Sequence, residues 1–403
     1  MTLHAGVFLW LWSATAVVKP GGAALRTACD TGAEIVARLK AGTEVELRFS
    51  LSGDAGQCYK VQAGAQSGYV LAAELDGTSA YEQARAAAPS LSSAQLVKAE
   101  IVRLRNATSN DPRDTPASVG GVLQLLESSQ PRLALELLET RILPAERNQT
   151  FLALAGMAAY QSDNPRRAVE YLSEALARQP NPQLEELLKR ARREVQNDQS
   201  KERTPSRYFV LRYDGGQVTP QVAGEMADAL DQEFERVSEQ LGCRPAEKIT
   251  AIVQTEDDYR ASTGAAEWAG GQFDGRIRIP LMYERGRVGN RMRQAFAHEI
   301  VHACIAQFGQ FPQWFHEGLA QKLSGLSLPR EAWHSADYPP LDKLQRGWGA
   351  LSPDQARLSY QASLAAIEIL IDQYGFEQVR ALLRRPEATQ ALAGELSRRL
   401  GAR

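Results

Sequence analysis

His298-Glu299-Ile300-Val301-His302 holds two histidines four residues apart, with a carboxylate beside the first, in a chain of 403 residues. The surrounding stretch, Arg291 to Gln307, reads as a helix. Residues four apart on a helix are offset by about 40°, so both imidazoles project from one face and can share a cation. Glu299 stands about 100° round from His298, where it can reach a metal-bound water without being a ligand. Zinc lowers the pKa of such a water, and the carboxylate takes its proton as the hydroxide attacks a carbonyl carbon. A third protein ligand must fix the metal while leaving one position open. Pro312-Gln313-Trp314-Phe315-His316-Glu317-Gly318-Leu319-Ala320 supplies Glu317 on a second helix, with Pro312 in its first turn. The first helix can stop and turn at Gly309, so an antiparallel second helix returns Glu317 to the level of the histidines. Gly318 and Ala320 are small enough to let the second helix approach the first closely.

Other residues near the motif fit less well as ligands. Cys304 lies about 200° around the helix from His302, which excludes it from the same shell; it packs inside or pairs with Cys243. His316 points about 100° away from Glu317, toward a surface or supporting role. His334 sits in a Pro-rich loop that assigns it nothing.

The elements that must position these residues begin at Tyr208. Tyr208 to Tyr213 reads as a strand ended by Asp214-Gly215-Gly216. Val222 to Leu241 is an amphipathic helix stopped by Gly242. Ile249 to Val253 is another strand, and Phe273 to Pro280 alternates as a strand with a turn in it. After Asn290 the pattern is helix, loop and helix. From about Tyr208 to about Leu383 the chain resembles the peptidase MA-like family of gluzincins, with its "His-Glu-x-x-His … Pro-x-Trp-x-x-Glu-Gly-x-Ala" signature. The resemblance implies an α+β zincin-type metallopeptidase domain with one Zn2+ per chain, held by His298, His302 and Glu317, and Glu299 as general base. It also implies that the strand before the motif helix, Gly270 through Ile279, pairs with the substrate backbone and so gives affinity with little sequence preference. Ser359-Tyr360-Gln361-Ala362-Ser363 opens a long helix and resembles the family's "Tyr-x-x-Ser" stretch, which makes Tyr360 the candidate oxyanion donor. The alternative for Tyr360 is a core tyrosine on an amphipathic helix. The family's thermolysin-like members carry an Asp where this chain has Gln321, a weaker acceptor for orienting a histidine. The Gly-x-Met-Glu-Asn motif of the large zinc aminopeptidases is absent.

Upstream, short alternating strands between residues 19 and 76 include Ala23-Ala24-Leu25-Arg26, Ala41-Gly42-Thr43 and Gly68-Tyr69-Val70. They resemble a bacterial Src-homology-3-like barrel, a module that often binds cell-wall or protein ligands. Residues 77–116 read as a linker with one helix, Ala94 to Val102, then a polar stretch broken by Pro112 and Pro116. Paired helices follow. The small-residue spacing of Leu152, Ala155, Gly156 and Ala159 against Ala168, Leu172 and Ala175 resembles a tetratricopeptide repeat. Two repeats are fewer than the three or so a self-standing array needs, so they should lean on a neighbour. The charged stretch Glu185 to Arg203 reads as a final helix and a hinge.

With 44% apolar and 23% charged residues, the composition is that of a globular chain. A net charge of −2 gives no electrostatic case for nucleic acid or an anionic membrane. The apolar run from Val7 to Val18, with Ala14-Thr15-Ala16, has the form of a signal peptide cleaved to leave a mature chain starting near Val17. A buried first strand or a misplaced start is the alternative. Cys29 and Cys58, and Cys243 and Cys304, suggest one disulfide in each region, although four cysteines permit three pairings and free buried thiols also fit. The expected organisation is therefore multidomain: signal peptide 1–16, small all-β barrel 17–76, linker 77–116, α-helical tetratricopeptide-like repeats 117–203 and metallopeptidase domain 204–403. The expected function is an exported bacterial zinc-dependent peptidase acting on a peptide or protein, periplasmic, secreted or held at the membrane by an uncleaved N-terminal segment. The alternative is a catalytically idle cell-envelope scaffold that retains the zinc fold.

Overall fold

The computed structural model describes residues 14–27, 29, 32–53, 56–87, 92–109, 117–197, 201–263, 270–282, 287–345, 348 and 351–401. The apolar run up to Trp12 and the Pro112–Pro116 stretch lie outside them. The chain divides into two compact units, residues 1–89 with 350–357, and residues 90–349 with 358–403.

The first unit is an antiparallel sheet of β1 (Ala14–Val18), β2 (Ala23–Arg26), β3 (Ile35–Leu39), β4 (Glu44–Gly53), β5 (Gly56–Ala63), β6 (Gln66–Leu71) and β7 (Leu75–Asp76). The strand order is β3-β2-β6-β5-β4-β1-β7. Gly42, in the anticipated turn, has φ +77°, a conformation glycine adopts without a Cβ penalty. Inward residues of alternating strands, among them Leu25, Val45, Val61 and Val70, form the core. β1 runs through the junction expected at residue 16. Ala16 pairs with Val45, and both Ala16 and Val18 are buried, so a chain starting at Val17 would lack the first three residues of this strand. A Cys29–Cys58 disulfide ties β5 to the segment after β2. Helix α1 (Ser79–Ala87) follows, with Tyr59 donating to Glu82 at 2.7 Å.

In the second unit α2 (Ser93–Ser109), α3 (Ala117–Glu127), α4 (Pro131–Leu137), α5 (Gln149–Gln161), α6 (Pro165–Arg178) and α7 (Pro182–Asn197) form a helical layer. Residues 77–116, expected as a linker with one helix, carry two among the described residues, α1 and α2. Val97, Ile101 and Leu104 of α2 belong to the helical core. Asn148 and Asn164 cap α5 and α6 by accepting from Phe151 N and Arg167 N. A Cβ at Gly156 would stand 2.6 Å from Leu172, so the small-residue spacing sets the α5–α6 approach as anticipated.

The sheet of this unit comprises β8 (Lys201–Pro205), β9 (Phe209–Asp214), β10 (Ile249–Gln254), β11 (Gln272–Phe273) and β12 (Ile277–Pro280), in the order β11-β12-β10-β9-β8. β9, β10 and β12 are parallel, and β8 and β11 are antiparallel edges. Residues 201–203, expected as part of a hinge, belong instead to edge strand β8. The reason is its backbone pairing to β9, reinforced where Tyr213 donates to Glu202 at 2.9 Å; its exposed side chains carry no apolar alternation. Helix α8 (Pro220–Leu241) is capped by Thr219 and ends at Gly242 with φ +77°. It packs on α10 (Asn290–Ile305), and α9 (Glu256–Thr263) packs between α7 and β12. Helices α11 (Gln313–Leu323), α12 (Pro353–Tyr374), α13 (Phe376–Ala381) and α14 (Pro386–Gly401) complete the fold. No helix among the described residues is long and apolar enough to cross a membrane.

An ion cluster joins the helical layer to the sheet. Arg212 on β9 meets Asp163 at 2.7 Å and Glu194 at 3.4 Å. Arg278 on β12 meets Glu194 at 2.6 Å and Asp274 at 3.0 Å, and Arg276 meets Glu194 at 3.0 Å. No side chain of the six is more than 6% exposed. Tyr160 of α5 lies 4.2 Å under Arg276. Burial pushes Glu194 upward in pKa, but Arg276, Arg278 and Arg212 outweigh it and hold the carboxyl well below its usual range. Glu194→Gln would leave the arginines undercompensated and should cost about 3–5 kcal/mol. Urea unfolding monitored by far-UV dichroism and by intrinsic fluorescence should register that loss in one shared transition.

Candidate metal centre

Helix α10 carries His298, Glu299 and His302, whose ligand atoms lie within 4.8 Å of one another. The imidazoles are 4.9 Å apart between ring centroids. Glu317 on α11 comes to the same point, with Oε2 3.2 Å from His298 Nε2 and 3.6 Å from His302 Nε2. Ligands at zinc distances of about 2.0–2.1 Å in a tetrahedral shell are separated by about 3.4 Å. The two measured distances bracket that value, so the donor set fits a tetrahedral cation in spacing and in chemistry.

Two glutamates in this site have opposite electrostatics. Burial pushes Glu317 upward, but the adjacent His302 and His298 outweigh it and hold the carboxyl well below its usual range. For Glu299, only 3% exposed, burial dominates and raises the pKa to about 8, with His298 opposing and Glu317 adding. A cation held by the histidines would oppose that rise. Among the described residues Glu299 Oε2 has no hydrogen-bond partner, and a Cβ at Gly271 would stand 2.4 Å from Oε1. The glycine before β11 therefore gives the carboxylate its room beside the last strand of the sheet. Gln272, 8% exposed, has both amide atoms without a partner among the described residues.

Residues around the ligands hold them in place. Gln313 Nε2 donates to Glu317 Oε1 at 2.7 Å, leaving Oε2 for the histidines. This partner lies one turn before Glu317 on α11, a helical i, i+4 spacing readable in retrospect. Gln321, expected as a weak acceptor for a histidine, is instead a donor: Nε2 bonds the carbonyls of Glu317 and Tyr360 at 3.1 and 2.9 Å. It thereby ties α11 to α12. The close approach permitted by Gly318 is likewise to α12 rather than to α10, since a Cβ there would stand 2.3 Å from the Ser363 carbonyl oxygen.

Tyr360 is half-buried, edge-on to Trp348 at 5.0 Å. Burial raises its pKa well above normal, and the charges of Glu317 and Glu299 raise it further, so it is a neutral phenol beside the site. His316 is outside the ligand set, its ring 5.7 Å from that of His302; burial, then His302 and Lys98, lowers its pKa to about 3. His334 bonds the Arg399 carbonyl at 2.8 Å and is not part of the cluster. Cys304 is fully buried and bridged to Cys243, which anchors α10 to the segment after α8.

Comparison with protein-family models, curated proteins and solved structures finds no match for this chain. The geometry above is therefore the ground for any functional reading. It predicts that Gly318→Ala, by forcing α11 and α12 apart, lowers stability by about 1–3 kcal/mol, to be read from the shift in the denaturation midpoint.

Proposed function

We propose that this chain is a gluzincin-type zinc metallopeptidase that works outside the bacterial cytoplasm. The observation that carries the reading is the placement of Glu317 Oε2 at 3.2 and 3.6 Å from the two imidazole nitrogens. A buried glutamate beside the first histidine adds to it, because holding a cation would not require one there. When bound, zinc would supply a Lewis acid and lower the pKa of a water in the open position. His298, His302 and Glu317 would hold the ion. Glu299 accepts the proton of the attacking water and passes it to the departing amine. Tyr360 keeps its proton at neutral pH and donates to the developing oxyanion. β11, the outermost of the described strands on its side of the sheet and preceded by the glycine that meets Glu299, offers its outer edge to the peptide backbone.

The wider architecture supports the same reading. The mixed sheet with an antiparallel edge strand and the α10–α11 pair fit a zincin-type domain, the seven-stranded module fits an Src-homology-3-like fold, and α5–α6 fit a tetratricopeptide-like pair. Two disulfides suit an oxidising compartment.

Purified protein should contain one zinc per chain by mass spectrometry, and His298→Ala should bring that to background. Glu299→Gln should retain zinc while zinc-dependent cleavage of a peptide library falls by at least about a hundredfold. A parent that binds zinc yet cleaves nothing would favour an envelope scaffold with an idle site. For the oxyanion donor, Tyr360→Phe should lower kcat by about ten- to a thousandfold with zinc unchanged. A kcat within about twofold of the parent would return Tyr360 to a packing role.

A further inference from the structure

We propose that the cavity between the α3–α4 turn, the segment after α8 and the end of α10 is a subsite for an acidic residue of a peptide, whose carboxylate Arg132 and Arg244 take. That this peptide is the substrate rests on the peptidase reading, but binding at the cavity can be tested without turnover.

The cavity measures about 180 Å3, many times what a single water needs. Arg132 and Gln161 of the helical layer form one side of its wall, and Arg244, Glu247, Lys248 and Phe273 form another. Three cations thus accompany one acid there. Arg132 and Arg244 are exposed, and among the described residues no carboxylate lies within ion-pairing distance of either guanidinium. Both are nevertheless anchored. Arg132 Nη2 donates to Thr250 Oγ1 at 3.3 Å. Arg244 N donates to Gln307 Oε1 at 3.1 Å, one residue after the Cys243–Cys304 bridge. Lys248 Nζ donates to the Ser206 carbonyl at 2.5 Å, so it adds charge to the wall rather than a contact.

The same wall carries acceptors that want donors. Glu247 Oε1 accepts from Arg132 N at 3.1 Å, while its buried Oε2 has no partner among the described residues. Gln161, 8% exposed, has an unpartnered Oε1 and is pressed against Gly275, where a Cβ would stand 2.8 Å from its own Cβ. A buried acceptor left unsatisfied costs stability until a donor reaches it. A simple anion would bring charge to the arginines but no N–H to these oxygens. An acidic residue within a peptide brings both, a carboxylate for the guanidinium forks and a backbone N–H.

Two paths lead from the candidate base to this cavity. Ala303, on its wall, lies four residues beyond Glu299 on α10, one turn or about 6 Å along the same face. Phe273, also on its wall, lies two residues beyond the glycine that meets the Glu299 carboxylate, about 7 Å of extended chain. Both paths agree that the cavity begins roughly two residues of extended peptide from the base. Backbone pairing with β11 carries little sequence preference, so the cavity would supply one: an acidic residue roughly two to four positions from the scissile bond.

Two measurements test the proposal. The first uses the full chain carrying Glu299→Gln, so that no turnover intervenes, and the blocked peptides acetyl-Ala-Ala-Glu-Ala-Ala-amide and acetyl-Ala-Ala-Gln-Ala-Ala-amide in saturation-transfer NMR titrations. The Glu peptide should bind at least about tenfold more tightly than the Gln peptide, and Arg132→Gln or Arg244→Gln should remove that difference. Arg398→Gln, which deletes an exposed charge on α14, should preserve it. Equal affinity for the two peptides, or a difference that survives both cavity substitutions at an unchanged melting temperature, overturns the subsite. In the second, digestion of a peptide library by the parent should enrich acidic residues two to four positions from the cut, and Arg244→Gln should abolish the enrichment with zinc content unchanged. Cleavage without that enrichment overturns the link to the substrate. If the parent cleaves nothing while the Glu peptide still binds through the arginines, the peptidase reading falls and the cavity assignment stands.

Discussion

Six ionised side chains buried together can remain charged only if they are assembled against one another. Three arginines, Arg212, Arg276 and Arg278, meet three carboxylates, Asp163, Glu194 and Asp274, with no room for solvent. A single member carried into the interior alone would meet a desolvation penalty of several kcal/mol. Asp163 and Glu194 come from the helical layer, while the arginines and Asp274 come from the sheet. Neither layer can therefore bury its share without the other. Asp163 accepts a left-handed backbone, φ +62°, at the turn between α5 and α6 where its carboxylate joins the cluster. Asp is among the few residues that tolerate that conformation. This is the physical sense in which a helical stack too short to stand alone leans on its neighbour.

The cluster reaches the candidate metal centre through a few contacts. Arg278 lies opposite Gln272 across the β11–β12 pair, so the ion pairs that fix β12 also fix the edge strand. Gly271, one residue earlier, meets the carboxylate of Glu299. From the other side α10 is held by the Cys243–Cys304 bridge and by its packing on α8, and α11 is drawn onto α12 by Gly318 and Gln321. The site is thus suspended between two rigid supports, and its ligand spacing is a property of both.

Within it, one residue type serves two purposes because its neighbours differ. Glu317 faces both imidazoles and is stabilised as an anion. Glu299 sits one residue from His298, but burial outweighs that histidine. A carboxylate that binds a cation should be strongly anionic, and one that trades protons should titrate near neutrality.

The sequence determined the candidate metal-binding set, because ligand geometry there is local. Four-residue spacing places His298 and His302 on one helical face, and a turn at Gly309 returns Glu317 beside them. It equally determined the α5–α6 contact through Gly156 and most strands of both sheets, since apolar periodicity and turn glycines act over a few residues. Tertiary structure alone decided the rest. Strand β8 has no apolar alternation and exists because β9 offers it hydrogen bonds. Gln321 and Gly318 take their roles from α12, some forty residues on. The six charges of the ion cluster are scattered from residue 163 to residue 278, and in the sequence each looks like an ordinary solvated side chain. What separates these two groups is range. Periodicity and turn preference are written within one element, whereas desolvation and charge neutralisation depend on which distant groups the folded chain brings together.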